Sequence, residues 1–218
     1  MIDCEAIVFD LDGTLIDSLY DLGNSVNKAL STFGYPEHDI DKYKNYIGDG
    51  TEVMVTKALP EDKKDQLNIK KCLDKFNEIY EHDFNVNTRL YDGISSLLDK
   101  LIENKIRLSI LTNKPYKFTE KYVESHLKCW EFDVVIAHKE GLPRKPDPSG
   151  ALIIINELKV DCSKIIYLGD TGIDMITAVR AGMYPIGVLW GFREKEELLS
   201  NGAACLIENP LELMSLIN

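Results

Sequence analysis

Near its N-terminus the chain reads Ala6-Ile7-Val8-Phe9-Asp10-Leu11-Asp12-Gly13-Thr14-Leu15. Ala6 to Phe9 is an apolar run of strand formers, as expected of a central strand covered on both faces. Asp10 and Asp12 follow, two residues apart, ahead of Gly13. The carboxyl ends of central strands are where open α/β sheets place their ligands. Two acids so close repel each other unless a cation or a proton intervenes. One reading is therefore a metal site, with one carboxylate acting as nucleophile and its neighbour as acid or base. The same residues also suit a plain turn, in which Asp bonds nearby backbone and Gly supplies positive φ. The rest of the chain has to separate the two.

Immediately after Thr14 the pattern becomes helical. Asp17 or Ser18 is placed to cap a helix carrying Leu19, Leu22, Val26, Ala29, Leu30 and Phe33. Gly34-Tyr35-Pro36 stops it. A short helix is expected over 39–46, a flexible loop at Gly48-Asp49-Gly50, and a helix from Thr51 to Leu59. Pro60-Glu61-Asp62 is expected to open a longer helix ending near Asp83. The spacing over 17–87 predicts an all-helical insert after the first strand.

From Leu90 onward strands and helices alternate. Strands are expected at 106–111, 132–137, 165–168, 184–189 and 203–207. Helices are expected between them, with Pro210 opening a last one. Such alternation implies a parallel sheet covered on both faces.

At 218 residues the chain suits one large domain, or a core with an insert. The net charge of −11 opposes nucleic-acid binding, which requires a basic face. An anionic small molecule stays possible, because a divalent cation and one or two lysines can reverse the potential within a cleft. No apolar run approaches the roughly 20 residues that cross a bilayer. The first residues include Asp3 and Glu5 and no basic region, unlike a secretory signal, so a cytoplasmic location is expected. Five scattered cysteines without a Cys-x-x-Cys pair argue for reduced thiols rather than a disulfide framework or zinc site.

The polar clusters fall just after predicted strands: Asp10 with Asp12, Thr112 with Asn113, and Asp170 with Asp174. Lys145 lies in the loop Pro143-Arg144-Lys145-Pro146-Asp147-Pro148. In a parallel sheet these strand ends share one edge. Each cluster also has a plain structural reading. Thr112-Asn113 suits a helix cap, Lys145 a solvated surface, and Asp170 and Asp174 a helix dipole.

Taken together, Phe9-Asp10-Leu11-Asp12-Gly13-Thr14, Leu111-Thr112-Asn113, Lys145-Pro146-Asp147-Pro148 and Gly169-Asp170 with Asp174 resemble the four motifs of the haloacid dehalogenase superfamily, in its phosphatase branch. The resemblance spans residues 9–174, and the helical insert matches that family's small cap. It implies an α/β fold with a Rossmann-like three-layer core, formed by residues 1–16 and 88–218, and a helical cap domain over 17–87.

The resemblance further implies that Asp10 is the nucleophile and forms an aspartyl-phosphate, and that Asp12 is the general acid and then the base. Mg²⁺ would be held by the carboxylates of Asp10 and Asp170 and the backbone carbonyl of Asp12, with Asp174 ligating through water or orienting the others. Thr112 and the Asn113 backbone would bind phosphoryl oxygens, and Lys145 would neutralise the nucleophile. The family's dehalogenases lack an acid at the position of Asp12, so its presence favours phosphoryl transfer. The implied reaction is Mg²⁺-dependent hydrolysis of a small phosphate ester, by a monomer or homodimer.

Thr112-Asn113-Lys114-Pro115, Ile47-Gly48-Asp49-Gly50 and Trp190-Gly191-Phe192 look most like the phosphoglycolate phosphatase subgroup. Gly48, Asp49, Gly50 and Lys114 are therefore expected to bear on substrate choice. Asp49 departs from the subgroup's usual uncharged residue, and beside a dianionic substrate its charge is unfavourable unless it is paired or points away. Other readings on the same fold are a pyrophosphatase or nucleotide phosphatase, a β-phosphoglucomutase-like isomerase, a phosphonate hydrolase and a non-catalytic regulatory protein.

Overall fold

The computed structural model describes all 218 residues. The chain forms two compact units, one of Met1–Ile16 with Leu90–Asn218 and one of Asp17–Arg89. β1 (Ala6–Phe9) opens the first unit, and β2 (Ile16–Asp17) carries the chain out of it.

The second unit is helical. It comprises α1 (Leu19–Thr32), a 3₁₀ turn over Ile40–Asn45, α2 (Thr51–Ala58) and α3 (Gln66–Asp83). Leu22, Val26, Ala29 and Leu30 form the buried stripe of α1, and Cys72, Phe76 and Tyr80 that of α3. Asn27 on α1 is buried and fixes the 3₁₀ segment. Its amide oxygen accepts from the Tyr43 hydroxyl (2.7 Å) and the His38 N–H (2.9 Å). The long helix does not begin at Pro60, as its sequence suggests. Residues Glu61–Lys63 form a separate 3₁₀ turn. α3 starts at Gln66 because the Asp65 carboxylate caps it, accepting from the N–H groups of Leu67 and Asn68. Phe33, expected on the apolar face of α1, sits at its C-terminal cap and is partly exposed.

The chain returns through β3 (Arg89–Leu90), which pairs with β2. The remaining elements are α4 (Ile94–Glu103), β4 (Arg107–Pro115), α5 (Tyr116–Tyr122), β5 (Val134–His138), α6 (Ser149–Leu158), β6 (Ile165–Gly169), α7 (Gly172–Ala181), β7 (Tyr184–Val188), α8 (Lys195–Ser200), β8 (Cys205–Ile207) and α9 (Leu213–Leu216).

Six strands form one sheet in the order β5-β4-β1-β6-β7-β8, and every pair is parallel. The architecture is thus the expected α/β class. β1 lies at the centre, with Phe9 level with Ile110 on one side and Leu168 on the other. Ala6 and Val8 face a core shared with Leu111, Ile154, Tyr167 and Ala178, while Ile7 and Phe9 are equally buried on the opposite face. A two-sided core explains why β1 is apolar throughout rather than alternating. The strand order also reverses at β1, so its carboxyl end lies at a topological switch point.

β4 runs past the expected Leu111 to Pro115, and its register with β5 shifts between Leu111 and Pro115. Such an irregularity re-aims side chains at the end of a strand. No helix in the chain is long and apolar enough to cross a membrane.

Candidate active site

The backbone beyond β1 bends tightly. The N–H groups of Leu15 and Ile16 both bond the Leu11 carbonyl, and the Gly13 N–H bonds the Ile16 carbonyl. Gly13 adopts φ +88°, and a Cβ there would lie 2.2 Å from Asp170 Oδ2. Only glycine gives both the left-handed backbone and this close approach. The turn seen in the sequence and the acidic site are therefore the same structure.

Asp10 stands at the sheet edge, 6 % exposed, with its N–H bonded to the Leu168 carbonyl of β6. Its Oδ1 accepts from the Leu11 N–H at 2.7 Å and lies 2.8 Å from Lys145 Nζ. Lys145 also donates to Asp174 Oδ1 (2.7 Å) and the Leu111 carbonyl (3.1 Å). The Asn113 side chain fixes the lysine's backbone by a reciprocal exchange. Its Oδ1 accepts from the Lys145 N–H, and its Nδ2 donates to the Lys145 carbonyl. This side chain is thus committed to the loop.

Asp170 follows β6 and is fully buried. Its Oδ1 accepts from the Thr14 hydroxyl (3.3 Å) and its Oδ2 from the Phe192 N–H (2.9 Å). A Cβ on Gly191 would meet Asp170 Cβ at 2.2 Å and the Gly13 carbonyl at 2.5 Å, so this loop is pressed against the carboxylate. Trp190 holds the turn after β1 from the same loop, its indole N–H donating to the Thr14 carbonyl.

Asp174 is the third residue of α7 and completes a capping box with Thr171. Its Oδ2 accepts from the Thr171 N–H and hydroxyl, and its Oδ1 from Lys145 and the Tyr167 hydroxyl. One carboxylate thus both caps α7 and pairs with Lys145.

Asp12 occupies a different setting. Lys114 Nζ donates to both of its carboxylate oxygens, at 2.9 and 3.1 Å. The Lys114 N–H in turn bonds Thr112 Oγ1.

Oxygens of Asp10, Asp170 and Asp174 all lie within 4.8 Å of one another. Burial raises the Asp10 carboxyl to about 7, Asp174 adds to the rise, and Lys145 opposes it. Burial, with Asp174 and Asp10, holds Asp170 well above the usual carboxylate range. Burial alone would lower Lys145, but Asp10 and Asp174 outweigh it and keep the ammonium charged. The residues present suit a divalent cation. Four carboxylates (Asp10, Asp12, Asp170, Asp174) face two ammonium groups (Lys114, Lys145), and oxygen ligands are what hard cations take.

The first unit therefore gathers Asp10, Asp12, Thr112, Asn113, Lys114, Lys145, Asp170 and Asp174 at one sheet edge. Gly48, Asp49 and Gly50 belong to the helical unit, where both glycines have positive φ and Gly50 precedes α2. Asp49 is paired there with Lys57, at 2.9 Å. Sequence reasoning missed Thr14, Thr171 and Tyr167. Thr171 was readable as a helix cap three residues before an acid. Tyr167, inside an apolar strand, carries no such mark.

Comparison with known proteins gives a consistent picture. A sequence model of the haloacid dehalogenase-like hydrolase family matches residues 7–188. The chain is 26 % identical over 220 residues to a phosphoglycolate phosphatase of Vibrio parahaemolyticus, covering 99 % of this chain and 96 % of the relative. It is 29 % identical to phosphoglycolate phosphatase 1 of Pseudomonas aeruginosa, covering 95 % of this chain and 78 % of that one. A crystal structure from Lactobacillus delbrueckii subsp. bulgaricus, provisionally named a phosphoglycolate phosphatase, superposes with a TM-score of 0.92 at 27 % identity, covering 99 % of this chain and 98 % of that one. With its motif residues assembled on a six-stranded parallel sheet and most of its length matched, this chain belongs to the haloacid dehalogenase-like hydrolase family.

Proposed function

We propose that this protein is a phosphatase that hydrolyses a small phosphate monoester through an aspartyl-phosphate on Asp10. The observation that carries the reading is the contrast between two carboxylates two residues apart. Asp10 lies among Lys145, Asp170 and Asp174, whereas Asp12 is paired with Lys114. Carboxylates in separate settings take separate roles.

Lys145 offsets the charge of Asp10, which otherwise repels an approaching phosphoryl group, and spreads charge in the transition state. An Asp10 oxygen attacks phosphorus as the ester P–O bond breaks, and Asp12 gives its proton to the leaving alkoxide. Water then attacks the acyl-phosphate. Its proton goes to Asp12 and the Asp10 carboxylate is regenerated. In this reading the Thr112 hydroxyl and the Asn113 backbone bind phosphoryl oxygens, while the Asn113 side chain holds the Lys145 backbone. A divalent cation, Mg²⁺ in this reading, would be held by the carboxylates of Asp10 and Asp170 and the Asp12 carbonyl. Bound there, it supplies charge that steadies the phosphoryl oxygens. Asp174, saturated by Lys145, Tyr167 and Thr171, orients rather than binds.

The named relatives favour a phosphoglycolate-like substrate. The helical unit is read as the cap that selects it, with Gly48 and Gly50 as its flexible points. Asp49 is paired with Lys57, which offsets its charge. Five free cysteines support a reducing, cytoplasmic setting.

The test is phosphate release with saturating Mg²⁺ from phosphoglycolate, pyrophosphate, nucleoside monophosphates and sugar phosphates. Phosphoglycolate is expected to lead by kcat/KM, and Asp10→Asn to be inert and to form no phosphoenzyme. Preference for pyrophosphate or a nucleotide would move the substrate assignment. Turnover surviving in Asp10→Asn would end the covalent mechanism.

A further inference from the structure

Lys114 was expected to help choose the substrate, but its surroundings indicate another task. It sits in the irregular end of β4, and its side chain is only 3 % exposed. Its backbone N–H is held by Thr112 Oγ1 (3.1 Å), and its carbonyl accepts from the Thr119 hydroxyl (3.4 Å). Its ammonium lies 4.8 Å from the centre of the buried Tyr122 ring and bonds both oxygens of Asp12. A cation held over an aromatic face has a fixed direction as well as a place. The lysine is thus anchored at its backbone, steered by an aromatic ring and bonded to both oxygens of the Asp12 carboxylate. That carboxylate sits on the turn that follows β1.

We propose that Lys114 is a positioning residue that holds the Asp12 carboxylate where it can exchange a proton with the leaving-group oxygen and then with water. The inference rests on the acid–base role of Asp12 given above. A twofold contact pins the carboxylate's plane, while each oxygen keeps a second lone pair for the proton it transfers. Charge-assisted hydrogen bonds are the strong ones, so the geometry persists as the leaving group changes. A displacement of about 1 Å in a catalytic group can cost roughly 10²-fold in rate. That makes the tether worth detecting.

The experiment is rapid-quench measurement of phosphoenzyme formation, in single turnovers of the full chain with saturating Mg²⁺. The substrates are phenyl, 4-nitrophenyl and 2,4-dinitrophenyl phosphate. Dinitrophenolate leaves without a proton, whereas phenolate needs one. The readout is the dinitrophenyl-to-phenyl rate ratio, which a merely structural loss does not move. Asp12→Asn sets the reference, and should raise the ratio by roughly 10²-fold or more. Lys114→Met is expected to raise it in the same direction, by about 10-fold or more. Lys114→Arg should restore it towards wild type. Tyr122→Leu, which keeps both charged groups but removes the ring, should shift it the same way by less, and serves if Lys114→Met does not fold.

If Asp12→Asn raises the ratio and neither Lys114→Met nor Tyr122→Leu does, the proposal is overturned. A uniform loss across leaving groups would make Lys114 structural, and a rise in KM alone would make it a substrate ligand. If Asp12→Asn itself leaves the ratio unchanged, the acid–base reading falls first and the role of Lys114 falls with it.

Discussion

Asp10 combines burial, the charge of Asp174 and the opposing charge of Lys145, which together place its carboxyl at about 7. The ordinary value is 3.8, so the shift is upward, and near neutrality a share of the molecules carries a proton there. A cation binds the deprotonated form and must displace that proton. Mg²⁺ binding should therefore release protons at pH 7, and its affinity should fall as pH drops below about 7. Calorimetric titration in two buffers of different ionisation enthalpy measures the release directly. Identical heats in both would contradict the raised Asp10. The sign for stability follows the same logic. A carboxyl raised in the folded state favours folding below pH 3.8 and loses that advantage as pH rises through about 7.

Among the elements, α1 depends on a carboxylate within the helical unit. Asp21 is buried and accepts from the N–H groups of Val86, Asn87 and Thr88, the Asn87 amide and the Thr88 hydroxyl. One side chain thereby ties the segment after α3 back to α1 and closes the helical unit. Burial pushes its carboxyl up, but the bonds from Thr88 and Asn87 outweigh this and hold it below the usual range. Asp21→Asn would set an NH₂ group against backbone donors, and is expected to destabilise the fold by about 2–3 kcal/mol in urea unfolding. Because the folded carboxyl is depressed, its contribution is present above pH 3.8 and is lost as pH falls through its lower folded value. The difference between wild type and Asp21→Asn should accordingly narrow in acid. A constant difference down to pH 3 would show that charge is not what Asp21 contributes.

For the whole molecule, a net charge of −11 acts on every anionic substrate before the site does. Salt shortens the range of that repulsion from about 30 Å at 0.01 M to about 8 Å at 0.15 M. With Mg²⁺ held saturating, kcat/KM for a dianionic ester is expected to rise several-fold over this interval while kcat stays flat. A fall with salt would mean that the local field of Lys114, Lys145 and the cation governs approach instead.

The residue types at strand ends were legible in the chain. Asp10 and Asp170 directly follow apolar strands and Lys145 lies in a proline-rich loop, and a two-sided apolar strand with alternating elements implies the sheet that gathers them. A helix was also expected between the strands at 165–168 and 184–189, and α7 fills that interval over Gly172–Ala181. The start of α3 was misjudged because Pro60 and Asp65 are both sound start signals, and hydrogen bonding to Asp65 prevailed. What no spacing reveals is pairing across the fold. Lys114 and Asp12 are 102 residues apart, Asn113 locks a loop 32 residues on, and Gly191 is pressed against Asp170. Those contacts follow from the strand order β5-β4-β1-β6-β7-β8, which sets the ends of β4 and β1, of β4 and β5, and of β6 and β7 side by side. Strand order and register are settled by burying the whole sheet at once, so one residue's partner depends on every other strand's place.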